Sequence, residues 1–348
     1  PGLSRVPAPA DASPLHHAGA LPLGKGMWLY EPHEVEGGDV AALGARATEA
    51  GLTHVYVRTG SSKRGFYAQA YLDQLLPAAR AAGIRVYGWD FPELDDVAAD
   101  VARAAAAIAY TTPGGHRIDG LAADIETPAE GTNLTAAGAA AYGAGLRAAA
   151  GTGYPLIAVV PRPSELMLAR YPYAEVVASF DAIAPMVYWL NRQPDTDVAA
   201  AVTHLATAFA KPVLPVGQAY DGALEGGRPG PPPPEEIRRF LAAAASGAAG
   251  VSFWSWQHAD QPFWDTIAAA PEFAWDAMAP AQIPPAQVRA LQAQLTRFGH
   301  HVAATGTWDG STGAALRGYQ RSVGLPETGV LDPSTVATLL APFNPPVG

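Results

Sequence analysis

Ile118-Asp119-Gly120-Leu121-Ala122-Ala123-Asp124-Ile125-Glu126-Thr127 is a short, mostly apolar run that reads as a β-strand ending in two carboxylates. Ala-rich stretches of helical character flank it, residues 95–110 before and 135–150 after. Working outward in both directions, the same unit recurs. Strands are expected at residues 26–30, 53–59, 84–91, 120–127, 154–161, 180–189, 211–220 and 250–256. Helices are expected at 39–50, 71–82, 95–110, 135–150, 164–170, 197–210, 234–246 and 262–269, with Asp39, Asp95, Thr135 and Asp197 as caps and Gly51, Gly83 and Gly151 just past helix ends.

Strands separated by helices pair in parallel through right-handed crossovers. Eight such units in roughly 250 residues fit a closed barrel, and no Gly-rich nucleotide turn follows any strand. The expected fold class is therefore α/β, a (β/α)8 TIM barrel, followed by a small all-α helical bundle. Residues 1–22 form a Pro/Ala-rich segment, 23–277 the barrel, 278–285 (MAPAQIPP) a stiff extended linker, 286–342 the compact unit and 343–348 a tail. Val288, Leu291 and Leu295, then Leu316, Tyr319 and Val323, have helical spacing. The Pro run at 229–234, with Gly226, Gly227 and Gly230, reads as a mobile loop.

Composition excludes several functions. The 348 residues are 49% hydrophobic, enough for ordinary cores, and carry a net charge of −10, which argues against a nucleic-acid partner. There is no Cys, so disulfides, thiolate metal sites and a cysteine nucleophile are out. No run approaches the roughly 20 apolar residues of a membrane span. The start at Pro1 would suit either a secreted chain trimmed of its signal or a start chosen for expression.

In a parallel barrel the reactive groups sit at the C-terminal ends of strands. Asp124 and Glu126 are two residues apart, so both leave the fourth strand on one face, their attachment points roughly 7 Å apart. Neighbouring carboxylates resist double ionisation, which keeps one protonated as a general acid near neutral pH. Alternatively, the pair caps the next helix or meets an Arg at the rim. Trp28, Tyr56, Arg58, Trp89, Asp90, Trp189, Gln218, Tyr220 and Trp256 lie near the same rim, and aromatic faces with directional polar groups suit sugar rings. Any one of these aromatics would also serve as core. No His/Asp/Glu set has metal spacing, no cofactor motif occurs, and Ser255 lacks a Gly-x-Ser-x-Gly turn.

Asp119-Gly120 through Asp124-Ile125-Glu126 resembles the DGxDxDxE motif on the fourth strand of the family-18 glycoside hydrolases. Ala184-Pro185-Met186-Val187-Tyr188-Trp189 resembles that family's sixth-strand Met-x-Tyr, and Gly250 to Trp256 its eighth-strand segment with a floor Trp. The resemblance implies that Glu126 protonates the glycosidic oxygen, Asp124 orients a 2-acetamido group, Tyr188 hydrogen-bonds that group, and Trp254 underlies the sugar beside Met186. Such enzymes retain configuration by substrate assistance. Ala122 stands where the motif has its first interior Asp, the family's second-strand motif is not evident in residues 53–58, and the Asp-x-Glu pair equally resembles the family-25 lysozymes.

From Val288 to Leu340 the sequence resembles the peptidoglycan-binding domain 1 family, on Leu291-Gln292, Gly306, Asp309, Thr312, Tyr319-Gln320, Gly329, Asp332 and Thr335. A helical module of this size could instead be a protein-interaction domain. The expected function is hydrolysis of a bacterial cell-wall glycan by a secreted or wall-associated enzyme. Its partners would be the polysaccharide substrate and the wall, with no cofactor, metal, nucleic acid or membrane span. Alternatives are another wall polysaccharide (arabinan, galactan or glucan), with Asp90 as second carboxylate, or a catalytically silent sugar-binding barrel.

Overall fold

The computed structural model describes residues 19–273 and 282–341. Residues 1–18 of the N-terminal segment, 274–277 of the barrel, 278–281 of the expected linker, Pro342 and the 343–348 tail lie outside them. The barrel is built from β1 (Gly24–Leu29), α1 (Val40–Glu49), β2 (His54–Ser61), β3 (Gly65–Phe66), α2 (Gln69–Ala81), β4 (Arg85–Phe91), α3 (Val97–Ala109), β5 (Gly120–Asp124) and α4 (Ala136–Ala150). It continues through β6 (Leu156–Pro161), α5 (Glu165–Arg170), α6 (Tyr173–Val177), β7 (Ala182–Met186), α7 (Pro194–Phe209), β8 (Val216–Gln218), α8 (Pro234–Ala245), β9 (Gly250–Trp254) and α9 (Gln261–Ala269). All strands but β3 pair in parallel, and β1 pairs with both β9 and β2, which closes an eight-stranded barrel. β3 folds back antiparallel on the end of β2.

Local chemistry sets the boundaries. Asp39 caps α1 by accepting from the N–H groups of Ala41 and Ala42, and Thr135 caps α4 through Gly138. Asp96, not its neighbour Asp95, caps α3. Asp197 caps nothing: α7 opens a turn earlier at Pro194, whose missing N–H costs nothing in the first turn, and the Asp197 carboxylate turns to Arg192 and Arg162 instead. Gly51, Gly83 and Gly151 follow helices at positive φ. The seventh barrel strand is much shorter than expected. Pro212 and Pro215 lack ladder N–H groups, leaving only the Ile183–Val213 bridge and the Met186–Val216 pair on the β7 side.

Alternation along the strands divides the core. Trp28, Tyr56, Tyr87, Trp89, Ala122, Ile157, Ala184 and Val216 fill the barrel, while Val55, Val57, Leu121 and Ala123 face outward into the apolar layer that also holds Leu72, Leu146 and Phe240 of the helix ring. At the N-terminal ends of the strands, Leu21 and Leu23 plug the barrel, and the Tyr87 hydroxyl donates to the Ala20 carbonyl at 2.6 Å. Residues 19–22, assigned above to the N-terminal segment, are thus part of the folded base.

The C-terminal unit comprises α10 (Pro285–Arg297), α11 (Gly310–Ser322) and α12 (Pro333–Leu339). Its sequence signature has a direct cause. Gln292, fully buried, donates to the Thr307 carbonyl and the Thr312 hydroxyl and accepts from Gly306 N–H. Gln320 repeats the arrangement with the Val330 carbonyl, the Thr335 hydroxyl and Gly329 N–H. Asp309 and Asp332 cap the helices that follow. Pro285, the last residue of the expected linker, already begins α10, and the unit packs against the barrel base. Arg85 donates to the carbonyls of Leu21, Leu339 and Ala341, Gln294 accepts from Leu21 N–H, and Arg297 bonds Gly19 and Gly153 and pairs with Asp181 at 3.0 Å. No described helix is long and apolar enough to cross a membrane.

Candidate active site

The C-terminal ends of the strands surround a cavity of about 440 Å³ lined by Trp28, Asp124, Glu126, Met186, Tyr188 and Trp254, among others. β5 ends at Asp124, and Glu126 follows two residues later on the same side, as the period of a strand requires. Burial raises both carboxyls above the ordinary carboxylate range. For Glu126, the neighbouring Asp124 and then Glu130 raise it further. For Asp124, a hydrogen bond from Trp89 and the positive charge of Arg58 pull partly back. Asp124 Oδ2 accepts from Trp89 Nε1 at 3.0 Å, whereas Oδ1, also buried, has no partner among the described residues. The site therefore keeps a proton to give, next to an acceptor with nothing yet to accept.

The walls are aromatic. Trp28 stacks on Tyr56 at 4.0 Å between ring centroids and donates from Nε1 to Ser252 Oγ at 2.8 Å. Trp89 meets Trp254 edge-on at 5.0 Å. Tyr188 is edge-on to Tyr220, whose hydroxyl donates to Glu225 Oε2 at 2.7 Å, and burial raises both phenols. Among the described residues, no group of three or more His, Asp or Glu could hold a metal ion.

Comparison with known proteins divides the chain as the geometry does. Residues 284–339 match a family model described as "Putative peptidoglycan binding domain". The barrel resembles solved structures in fold. The catalytic domain of a hyperthermophilic chitinase from Pyrococcus furiosus matches at 13% identity and TM-score 0.53, over 74% of this chain and 97% of that one. The GH18 chitinase ChiB of Flavobacterium johnsoniae matches at 12% identity and TM-score 0.50, over 71% and 93%. A xylanase and α-amylase inhibitor protein from Scadoxus multiflorus matches at 13% identity and TM-score 0.50, over 71% and 95%. No curated protein matches the chain. The chain thus joins a TIM barrel, the fold it shares with these proteins, to a C-terminal unit that matches the peptidoglycan-binding domain model.

Eight residues expected at or near the site stand outside the cavity lining, namely Tyr56, Arg58, Trp89, Asp90, Trp189, Gln218, Tyr220 and Trp256. Of these, Trp189 packs on Phe240 of the helix ring and donates from Nε1 to Glu236. Asp90 is the clearest correction. It alternates with Trp89, so with Trp89 inside the barrel Asp90 faces the helices, where it accepts from Arg103 Nε and Nη2 at 2.9 and 2.8 Å and from the Tyr142 hydroxyl at 3.0 Å. It is 1% exposed and unavailable as a second carboxylate. Trp256 lies beyond the end of β9, where the chain turns into a short 3₁₀ helix, and its Nε1 donates to Glu36 at 3.0 Å. Gln218 ties two loops together, accepting from Leu190 N–H and donating to the Tyr220 carbonyl. Tyr56 supports Trp28 from the interior. Arg58 lies over the Trp89 ring at 4.9 Å and acts on the site through its charge.

Sequence reading passed over Glu130, Arg162, Ser164 and Glu225, all in the lining. Arg162 and Ser164 directly follow β6, so applying the strand-end rule to the fifth barrel strand would have found them. Glu225 sits in a short 3₁₀ helix, Ala223–Glu225, of the Gly/Pro-rich stretch after β8, where composition carries no comparable signal.

Proposed function

We propose that the chain hydrolyses a glycosidic bond of a bacterial cell-wall glycan at an N-acetylhexosamine, with retention of configuration. Glu126 is the acid/base, Asp124 orients the substrate's acetamido group and Tyr188 hydrogen-bonds it. The buried, unpartnered Oδ1 of Asp124 beside a protonated Glu126 carries this reading, because it asks for an N–H donor where an acetamido group would supply one. In the first step Glu126 gives its proton to the glycosidic oxygen as the bond to C1 breaks, and the acetamido oxygen bonds to C1. In the second, Glu126 takes a proton from water as that water attacks C1 and the acetamido oxygen departs. Trp28 and Trp254 supply apolar faces for the ring. Residues 284–339 hold the chain on peptidoglycan, which raises the local substrate concentration and suits an exported, wall-associated protein.

Ala122 and Glu225 favour a second reading. Without an Asp at position 122 the interior relay is shortened, and Glu225 brings a carboxylate to the cavity that Asp90 does not provide. A two-carboxylate hydrolase of an arabinan, galactan or glucan would use it.

Release of reducing ends from a panel of purified wall polymers, by wild type and Glu126→Gln, tests both readings. Release from peptidoglycan or chitin-type oligomers, lost in the variant and blocked by a sugar-fused thiazoline, supports substrate assistance. Activity confined to polymers without acetamido groups supports the second reading. Binding without turnover of any polymer leaves a sugar-binding barrel.

A further inference from the structure

Arg162 follows the last residue of β6 and lines the cavity beside Glu126, Ser164 and Met167. It is the one Lys or Arg in the described lining, facing four carboxylic acids: Asp124, Glu126, Glu130 and Glu225. Its ion-pair partner, Asp197, is distant at 3.6 Å, and the other Asp197 oxygen is held at 2.6 Å by Arg192. Among the described residues no hydrogen bond uses the five N–H donors of Arg162, and its side chain is 28% exposed. A planar fork of donors, anchored loosely on one side and open on the other, is the complement of a carboxylate.

We propose that Arg162 is a subsite for a carboxylate borne by the substrate, so that the glycan cleaved is an acidic amino-sugar polymer in preference to a neutral chitin-type one. The inference rests on the reading of Glu126 as the acid. With Glu126 holding its proton, the cavity is less negative than its formal count, and an anionic substituent is tolerated next to one guanidinium. Two sources carry the required group: a lactyl ether on the amino sugar, or a uronic acid in the chain.

The test measures kcat/KM of the full chain, with Arg162→Gln and Arg162→Lys alongside. The substrates are peptide-stripped glycan strands with free lactyl carboxylates, the same strands as methyl esters, a uronate-containing amino-sugar polymer and its methyl ester, and chitin-type oligomers. The expected result is a preference for acid over ester that Arg162→Gln reduces by roughly tenfold to a hundredfold, mainly through KM, and that lysine partly restores. The polymer with the larger acid-over-ester preference identifies the source. Equal rates on acid and ester, or a preference that survives Arg162→Gln, overturns the subsite, while turnover of chitin-type oligomers leaves Glu126 in place. If nothing is turned over, calorimetric binding of the same pairs decides: esterification weakening binding to wild type but not to Arg162→Gln supports the subsite, and equal binding overturns it.

Discussion

The two ends of the barrel handle buried polar groups in opposite ways. At the base, Arg85 is 2% exposed, yet its three guanidinium nitrogens donate to carbonyls from the N-terminal plug and the C-terminal unit. At the mouth, Asp124 Oδ1 is buried with no described partner, Glu126 beside it keeps its proton, and Arg162 has only a long ion pair. A buried donor without an acceptor is costly, and so is the reverse. At Arg85 the base meets that cost with its own chain, with His54 Nε2 and Gln294 Nε2 as the exceptions there. The mouth leaves it for a ligand to meet, the pattern expected where binding rather than stability has set the residues.

The comparison breaks first if the mouth is not a reaction centre. Glu126→Gln is expected to lower kcat on a cleaved wall glycan by about 10²- to 10⁴-fold, with KM little changed and binding to purified peptidoglycan intact. Initial rates and sedimentation with wall material measure the two separately. Next, Arg85→Met should destabilise the chain by about 3 kcal/mol, because it leaves the two buried carbonyls of Leu21 and Leu339 and the less buried one of Ala341 without donors. Denaturant unfolding should show one transition in wild type, since barrel interior and C-terminal unit share an apolar cluster. Two well-separated transitions in wild type would mean that the base contacts do not couple the units.

How far the sequence predicted each end follows from how local the relevant signals are. Eight strands, eight helices and the C-terminal bundle were readable because apolar periodicity and capping residues are written within single elements, as with Asp39 and Thr135. The Asp124–Glu126 spacing was equally local, though its pairing with Trp89 was not. Asp90 was misplaced for want of a parity argument that was available: choosing Trp89 as an inward residue already turns Asp90 outward. Docking of the C-terminal unit was not readable at all. It depends on Arg85, Arg297 and Gln294 meeting backbone carbonyls and N–H groups far away in sequence, and a Pro-rich junction looks the same whether it separates two units or joins them.

Titration sharpens the comparison further. The carboxyl of Glu126 is raised by burial first and Asp124 second. Above the ordinary carboxylate pKa the unfolded chain gives up a proton that the folded chain keeps, so stability falls as pH rises until the folded group itself ionises. Glu126→Gln removes that loss. Its melting temperature should match wild type near pH 4, to within the change of side chain, and exceed it by a growing margin toward pH 8. A constant offset would show that Glu126 ionises in the folded chain as it does in the unfolded one.

A second titration effect comes from the base and has the opposite sign. His54 is 1% exposed, its Nδ1 shares a hydrogen bond with the Thr53 hydroxyl, and its Nε2 has no described partner. Gly26 packs so closely that a Cβ there would lie 2.1 Å from Nε2, which leaves no room to solvate a proton. Burial, then the positive charge of Arg85, pushes the imidazole down to about 3. The stability this implies is whole above the ordinary histidine pKa of about 6.5 and is lost as pH falls toward 3, because only the unfolded chain takes up the proton. His54→Asn should lower stability at pH 8 through lost packing against Tyr56 and Tyr87, yet flatten the decline between pH 6.5 and pH 4. Denaturant midpoints at four or five pH values across that window measure the slope. An unchanged slope would mean that His54 takes up its proton in the folded chain, and that the base, like the mouth, has room for a charge.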